Sequence, residues 1–145
     1  MDEVLAKYEF VCIGSATVDQ FANTDSELIK IQTRTTTEEL IAFPLGSKLL
    51  ISELNITTGG GGTNSAVALA RLGFKTAFLG KLGEDANAVF VMHALSDEGI
   101  DFIGGCEGQT GVSMILDSIA DDRTILAFKG ANNNLISQDI IPFET

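Results

Sequence analysis

Residues 59–66 read Gly59-Gly60-Gly61-Gly62-Thr63-Asn64-Ser65-Ala66, four glycines that run straight into a set of helix formers. From Asn64 to Leu72, NSAVALARL, the residues are mostly small, apolar and of good helix propensity, and Gly73 stands where a C′ glycine ends a helix. A helix so apolar on most sides is expected to be buried. Its N-terminus presents unpaired N–H groups and the positive end of the helix dipole, and glycines just before it let a ligand meet the backbone without a Cβ in the way. Two habitual ligands fail against the letters. A P-loop needs a lysine and then Ser or Thr after its last glycine, where this chain has Thr63-Asn64. A dinucleotide fingerprint needs GxGxxG after the first strand, where the chain runs Gly14-Ser15-Ala16-Thr17-Val18-Asp19 with one glycine. The bland alternative is a turn that packs a helix close to a sheet, and Asn64 weighs against it, because its amide can donate and accept where the helix begins.

Working outward, Tyr8 to Ile13, YEFVCI, is rich in β-formers and predicts a buried first strand closed by Gly14. Leu28 to Ile31 and Leu49 to Ile56 alternate like strands, on either side of a polar stretch, Gln32 to Glu39, and of Pro44 and Gly46. Lys75 to Leu79 predicts a strand, and Asp85 to Glu98 an amphipathic helix stopped by Gly99. Strand and helix in alternation indicate an α/β fold with a parallel sheet. Gly111 to Ser118 and Arg123 to Lys129 then form a hairpin around Ala120-Asp121-Asp122, and Ser137 is a helix start near the end of the chain.

The 145 residues, 45% of them hydrophobic, suit one domain or one piece of a domain, able to bury roughly 68–70% of its unfolded surface. Twenty acidic residues against nine basic ones give a net charge of −11, which argues against a nucleic-acid surface. No apolar run approaches the roughly 20 residues of a membrane span, and the acidic N-terminus is unlike a signal peptide. Cys12 and Cys106 lack metal-ligand spacing and are expected to be two buried thiols in a reducing cytoplasm. His93, the single histidine, falls within the second helix and is expected to be structural, while Asp97-Glu98 and Asp121-Asp122 read as solvated surface pairs.

Gly60-Gly61-Gly62-Thr63-Asn64-Ser65-Ala66, followed by Gly73 and Gly83, resembles the first signature of the ribokinase-like, or PfkB, carbohydrate kinases. Gly14-Ser15 with Asp19, the stretch Gly80-Lys81-Leu82-Gly83-Glu84-Asp85, Thr110-Gly111-Val112 and Gly130-Ala131-Asn132 agree with the same family in order, so the likeness covers nearly the whole chain. It implies a three-layer α/β/α fold with a small β-sheet lid, built here from about residues 20–57 and 110–129. It also implies a substrate site in which the Asp19 carboxylate accepts sugar hydroxyls, Gly60 and Gly61 approach the ring, and Asn64 completes a polar clamp. An ionised carboxylate beside an amide suits a polyol. By the same resemblance, the substrate is a sugar, a sugar derivative or a nucleoside, ATP and Mg2+ serve the full-length parent, and the lid could join two copies into a homodimer.

Two departures qualify the likeness. Ribokinase itself carries lysine at the position of Gly61 and asparagine at that of Thr17, so ribose is not implied. The family also needs a D-T-x-G-A-G-D motif whose last aspartate is the base for phosphoryl transfer, and no stretch here resembles it. The chain is therefore expected to be the N-terminal, substrate-binding part of such a kinase, stopping mid-fold and inactive alone. The competing expectation is a stand-alone sugar-binding or lid-dimerising module without chemistry.

Overall fold

The β-forming run at the N-terminus becomes a strand at Phe10–Ile13 (β1) in a computed structural model that describes residues 7–23, 28–117 and 123–140. There follow β2 (Thr17–Asn23), β3 (Leu28–Gln32), β4 (Thr37–Ile41), β5 (Glu53–Gly59), α1 (Gly61–Arg71), β6 (Thr76–Leu79) and β7 (Lys81–Leu82). The remainder is α2 (Ala86–Asp97), β8 (Asp101–Phe102), β9 (Gly105–Cys106), β10 (Gly111–Asp117), β11 (Arg123–Phe128), a 3-10 turn (Gly130–Asn134) and α3 (Ser137–Ile140). The chain divides into two units. The first comprises Met1–Val18, Thr57–Val112 and Ala127–Thr145, the second Asp19–Ile56 and Ser113–Leu126.

In the first unit β1, β6 and β8 form a parallel sheet in that order, with Cys12 opposite Phe78 and Phe78 opposite Phe102. β6 is buried along its whole length, whereas β1 is the edge of this sheet and leaves Phe10 and Ile13 exposed; the expected burial of YEFVCI holds only for Cys12. Parallel strands joined through helices cross over with one hand, so α1 and α2 come to lie on the same face of the sheet. Cys12, Ala66, Phe78, Leu82, Val91 and Leu95 fuse there into one core, and the Phe78 ring stacks on that of Phe102 with centroids 5.9 Å apart. Arg71 near the end of α1 forms a bidentate ion pair with Glu98 just past α2 (Nε–Oε2 2.9 Å). Asp97 beside it is exposed, so of that acidic pair only Asp97 is the solvated carboxylate expected. The short strands β7 and β9 pair in parallel, Lys81 with Gly105 and Leu82 with Cys106.

Helix α1 corrects the sequence reading twice. It begins at Gly61 and not at Asn64, and only Gly62, Thr63 and Ala66 are buried, so it is a one-sided surface helix. Small residues lie close to the sheet over that side, and Val67, Leu69 and Ala70 flank them half-buried against the core. α2 matches its expected limits, with Asp85 as N-cap and Glu98 as C-cap. His93 on α2 is exposed. Cys12 is buried but Cys106, on a two-residue edge strand, is exposed, which overturns half of the expectation of two buried thiols. Among the described residues no helix is long and apolar enough to cross a membrane.

The second unit contains the antiparallel pair β3–β4, in which Leu28 pairs with Ile41 and Gln32 with Thr37, and most of the four-stranded sheet β11-β10-β2-β5. The polar stretch Gln32 to Glu39 is thus the turn of a hairpin and part of its second strand. Thr33 makes that turn: its Oγ1 accepts the Thr36 N–H at 2.9 Å, and its own N–H donates to the Thr36 carbonyl at 2.8 Å. β2 was also not expected, since Asp19-Gln20 interrupts its apolar alternation; its neighbours β10 and β5 supply the pairing that holds it extended. β5 starts at Glu53, four residues later than the alternation from Leu49 suggested. β10 and β11 are neighbours as expected, and the Ala120-Asp121-Asp122 turn lies outside the described residues.

Candidate functional site

The first unit builds its candidate site where the β1–β2 connection meets the start of α1. Ser15 takes three N–H groups of that helix start: its Oγ accepts from Gly61 at 3.1 Å, and its carbonyl accepts from Gly62 at 3.0 Å and Thr63 at 3.4 Å. Thr63 turns its hydroxyl back to the Gly59 carbonyl at 2.6 Å. The donors that would make a helix N-terminus an anion cradle are therefore committed to the protein itself, and a phosphate does not fit there.

The glycines divide by role. Gly60, the N-cap, has φ +107°, and a Cβ on it would overlap the Ser15 carbonyl. A Cβ on Gly62 would come within 2.6 Å of the Phe78 ring and 2.9 Å of Gly14. Both are bare so that the helix can start against Gly14-Ser15. Gly61 differs, because nothing lies within 4 Å of where its Cβ would stand. It is the one open position among these three.

Asn64 sits one turn into α1, exposed, at one end of a groove of about 420 Å³ between α1 and α2. Thr57, Thr58 and Val67 line the groove beside it, Leu95 forms part of its wall, and Arg71 with Glu98 closes the far end. Gly60, Gly61 and Asn64 thus share one helical turn of the first unit. Asp19 is half-buried on β2, in the second unit. Among the described residues no group of His, Cys, Asp or Glu is arranged to hold a metal ion.

Three polar residues around this region enter the sequence reading only as parts of the family likeness, with no role of their own. Ser15 is the first. Asn132 is the second: its Oδ1 accepts the Ala16 N–H at 2.9 Å, and its Nδ2 donates to the carbonyls of Ala16 at 2.8 Å and Lys129 at 2.9 Å. The third is Thr110, fully buried, which donates its hydroxyl to Asp85 at 2.6 Å and its N–H to the other carboxylate oxygen at 2.9 Å, while accepting the Gly83 N–H at 2.9 Å. Asp85 also accepts the Ala88 N–H at 2.9 Å as N-cap of α2. Partial burial pushes its pKa up, but the hydroxyl and amide of Thr110 and the amides of Ala88 and Asn87 outweigh this and hold it below its ordinary value. Lys81 is drawn the other way: its ammonium pairs with Asp139 at 2.8 Å, which raises its pKa despite desolvation. The sequence signal for Thr110 and Asn132 was their place beside glycines in the stretches that match the family, which names the positions but not their partners.

A parallel sheet with both long helices on one face makes the first unit an α/β fold, and its candidate site is a glycine-led helix start beside an exposed amide. The chain belongs to the pfkB family of carbohydrate kinases, whose model matches residues 8–143. It is 33% identical over 135 residues to the ribokinase of Staphylococcus aureus (strain COL), an alignment that covers 90% of this chain and 40% of that protein. Among solved structures it resembles the Arabidopsis thaliana ribokinase complexed with ribose and ATP, with a TM-score of 0.70 at 24% identity over 86% of this chain and 37% of that one. The Giardia lamblia ribokinase gives a TM-score of 0.71 at 19% identity over 94% of this chain and 38% of that one, which speaks to the fold alone. The alignments cover between 22% and 40% of the length of the curated relatives the chain matches.

Proposed function

We propose that this chain is the substrate-binding part of an ATP-dependent kinase that phosphorylates a hydroxyl of a sugar, sugar derivative or nucleoside. The observation that carries the reading is the helix start: Gly61, with open space at its Cβ position, lies one turn from the exposed amide of Asn64 in a chain of the pfkB family. A sugar ring approaches closest where no side chain intervenes, and the Asn64 amide both donates to and accepts from its hydroxyls. Gly60 contributes backbone, and the Asp19 carboxylate on β2 accepts two substrate hydroxyls as charge-assisted hydrogen bonds. The 33% identity to a ribokinase supports a pentose-sized ligand, and Gly61 leaves room for a larger one.

ATP, with Mg2+, supplies the phosphoryl group. The α1 N-terminus does not suit it, because Ser15 already holds the N–H groups there. Residues 1–145 carry no D-T-x-G-A-G-D stretch, so purified protein of that length transfers no phosphoryl group from ATP to a sugar in this reading. Transfer above a no-protein control refutes that statement. The second unit acts as the lid, and its exposed Leu54, Ile56, Met114, Ile125 and Leu126 support association of two copies. Sedimentation of the full-length protein as a monomer at all concentrations would remove that part of the proposal. A cytoplasmic setting is supported by the two free thiols.

A thermal-shift panel of sugars and nucleosides on the full-length protein tests the whole. A true substrate at 100 times its dissociation constant stabilises by about 2.7 kcal/mol. Asp19→Ala is expected to abolish that shift for the sugar and keep the one for ATP. An equal sugar shift in the variant removes Asp19 from the site.

A further inference from the structure

The Ser15-Ala16 pair has nearly every polar group committed. Ser15 holds the first N–H groups of α1 through its hydroxyl and carbonyl. Ala16, fully buried, lies between β1 and β2 and outside both, and its N–H and C=O go to the side chain of Asn132, at 2.9 Å and 2.8 Å. One amide thus does for Ala16 what a neighbouring strand does for a paired residue. The same Nδ2 donates to the Lys129 carbonyl directly after β11, and a Cβ on Gly111, where β10 begins, would collide with it. The next residue after Ala16 opens β2, the strand that carries Asp19.

We propose that Asn132 is a positioning residue for the sugar site. By gripping Ala16 it fixes the joint from which the start of α1, with Gly61 and Asn64, and the start of β2, with Asp19, both take their place. This rests on the sugar-binding reading above. Asn132 touches no substrate in this scheme; it sets where the groups that do so begin. Small displacements of binding groups weaken affinity steeply, so the loss of a grip outside the site is felt inside it.

The test uses full-length protein, titrated calorimetrically with D-ribose, D-fructose and adenosine, together with amide hydrogen exchange. Asn132→Asp is nearly isosteric and keeps the acceptor for the Ala16 N–H, but sets a carboxylate oxygen against two carbonyls; Asn132→Ala removes the grip. Either variant is expected to lose about tenfold or more in affinity for whichever probe the unaltered protein binds, equivalent to one well-made hydrogen bond. Exchange is expected to quicken at residues 16–19 and 60–64 and to stay slow in β6. Wild-type affinity in both folded variants reduces Asn132 to a loop staple and overturns the proposal, as does exchange that quickens everywhere alike. Should neither variant fold, the unaltered protein still decides: a protected Ala16 amide supports the grip, and an unprotected one refutes it. Failure of the unaltered protein to bind any probe, in contrast, brings down the sugar-binding reading on which the role rests.

Discussion

Gly60 and Gly61 are adjacent and chemically identical, yet the molecule uses them in opposite ways. Gly60 takes a backbone conformation with φ +107° and lies against the Ser15 carbonyl, so Gly60→Ala adds strain and overlap together. It is expected to cost of order 1–3 kcal/mol or more, read as a lower midpoint in urea denaturation. Gly61 is helical and open, so Gly61→Ala leaves stability unchanged or raises it by up to about 1 kcal/mol through helix propensity. The same substitution places a methyl where the sugar is proposed to rest, and sugar affinity should fall while the melting temperature does not. A Gly61→Ala protein with full affinity would move the ligand away from this position. From the letters the four glycines could be read only as one bare stretch, because which of them lacks room for a Cβ depends on Gly14, Ser15 and Phe78, distant in sequence.

Among the elements, α2 is the best defined by its own residues and by one remote partner. Asp85 caps it and binds Thr110 through both oxygens, which joins the helix start to the residue before β10. Its carboxyl is held below the ordinary value of 3.8. A depressed folded pKa gives stability that is present above the unfolded value and lost as pH falls through the folded one. The stability difference between wild type and Asp85→Asn should therefore be constant near neutral pH and shrink once the pH drops below about 3.8. At pH 7 the substitution is expected to cost about 1–3 kcal/mol, because asparagine still caps the helix but leaves one Thr110 donor facing its NH2 group. A difference that persists unchanged into acid would mean the carboxylate charge is irrelevant. The Arg71–Glu98 pair between α1 and α2 is a weaker device: the Arg71 side chain is 69% exposed, and Arg71→Ala should change stability by less than about 1 kcal/mol.

For the whole molecule, the two units differ in how much they bury. The first has a continuous core around Phe78, which is fully buried, and Phe78→Ala is expected to cost about 3–5 kcal/mol in a denaturant titration. In the second, β11 from Arg123 to Leu126 and β5 from Glu53 to Ile56 are exposed throughout. Backbone hydrogen bonds over such strands open with little loss of burial, so amide exchange in β5 and β11 should be faster than in β6. Equal protection would show that those faces are covered in solution, as lid association requires.

The α/β order of elements, the caps of α2, the stop of α1 at Gly73 and the family likeness through Gly60 to Ala66 were legible in the letters, because periodicity, capping and glycine spacing are local. β2 and β4 were not, since their residues alternate poorly and become strands only through neighbours far along the chain. Tertiary structure alone decided that α1 begins at Gly61 and buries one side, and that Cys106 is exposed. It also decided that Ser15 claims the helix N-terminus and that Asn132 holds Ala16. The physical reason is common to all of these. A hydrogen bond across 46 or 116 residues, or the space left at a Cβ, is a property of which segments meet, and no single segment records its partners.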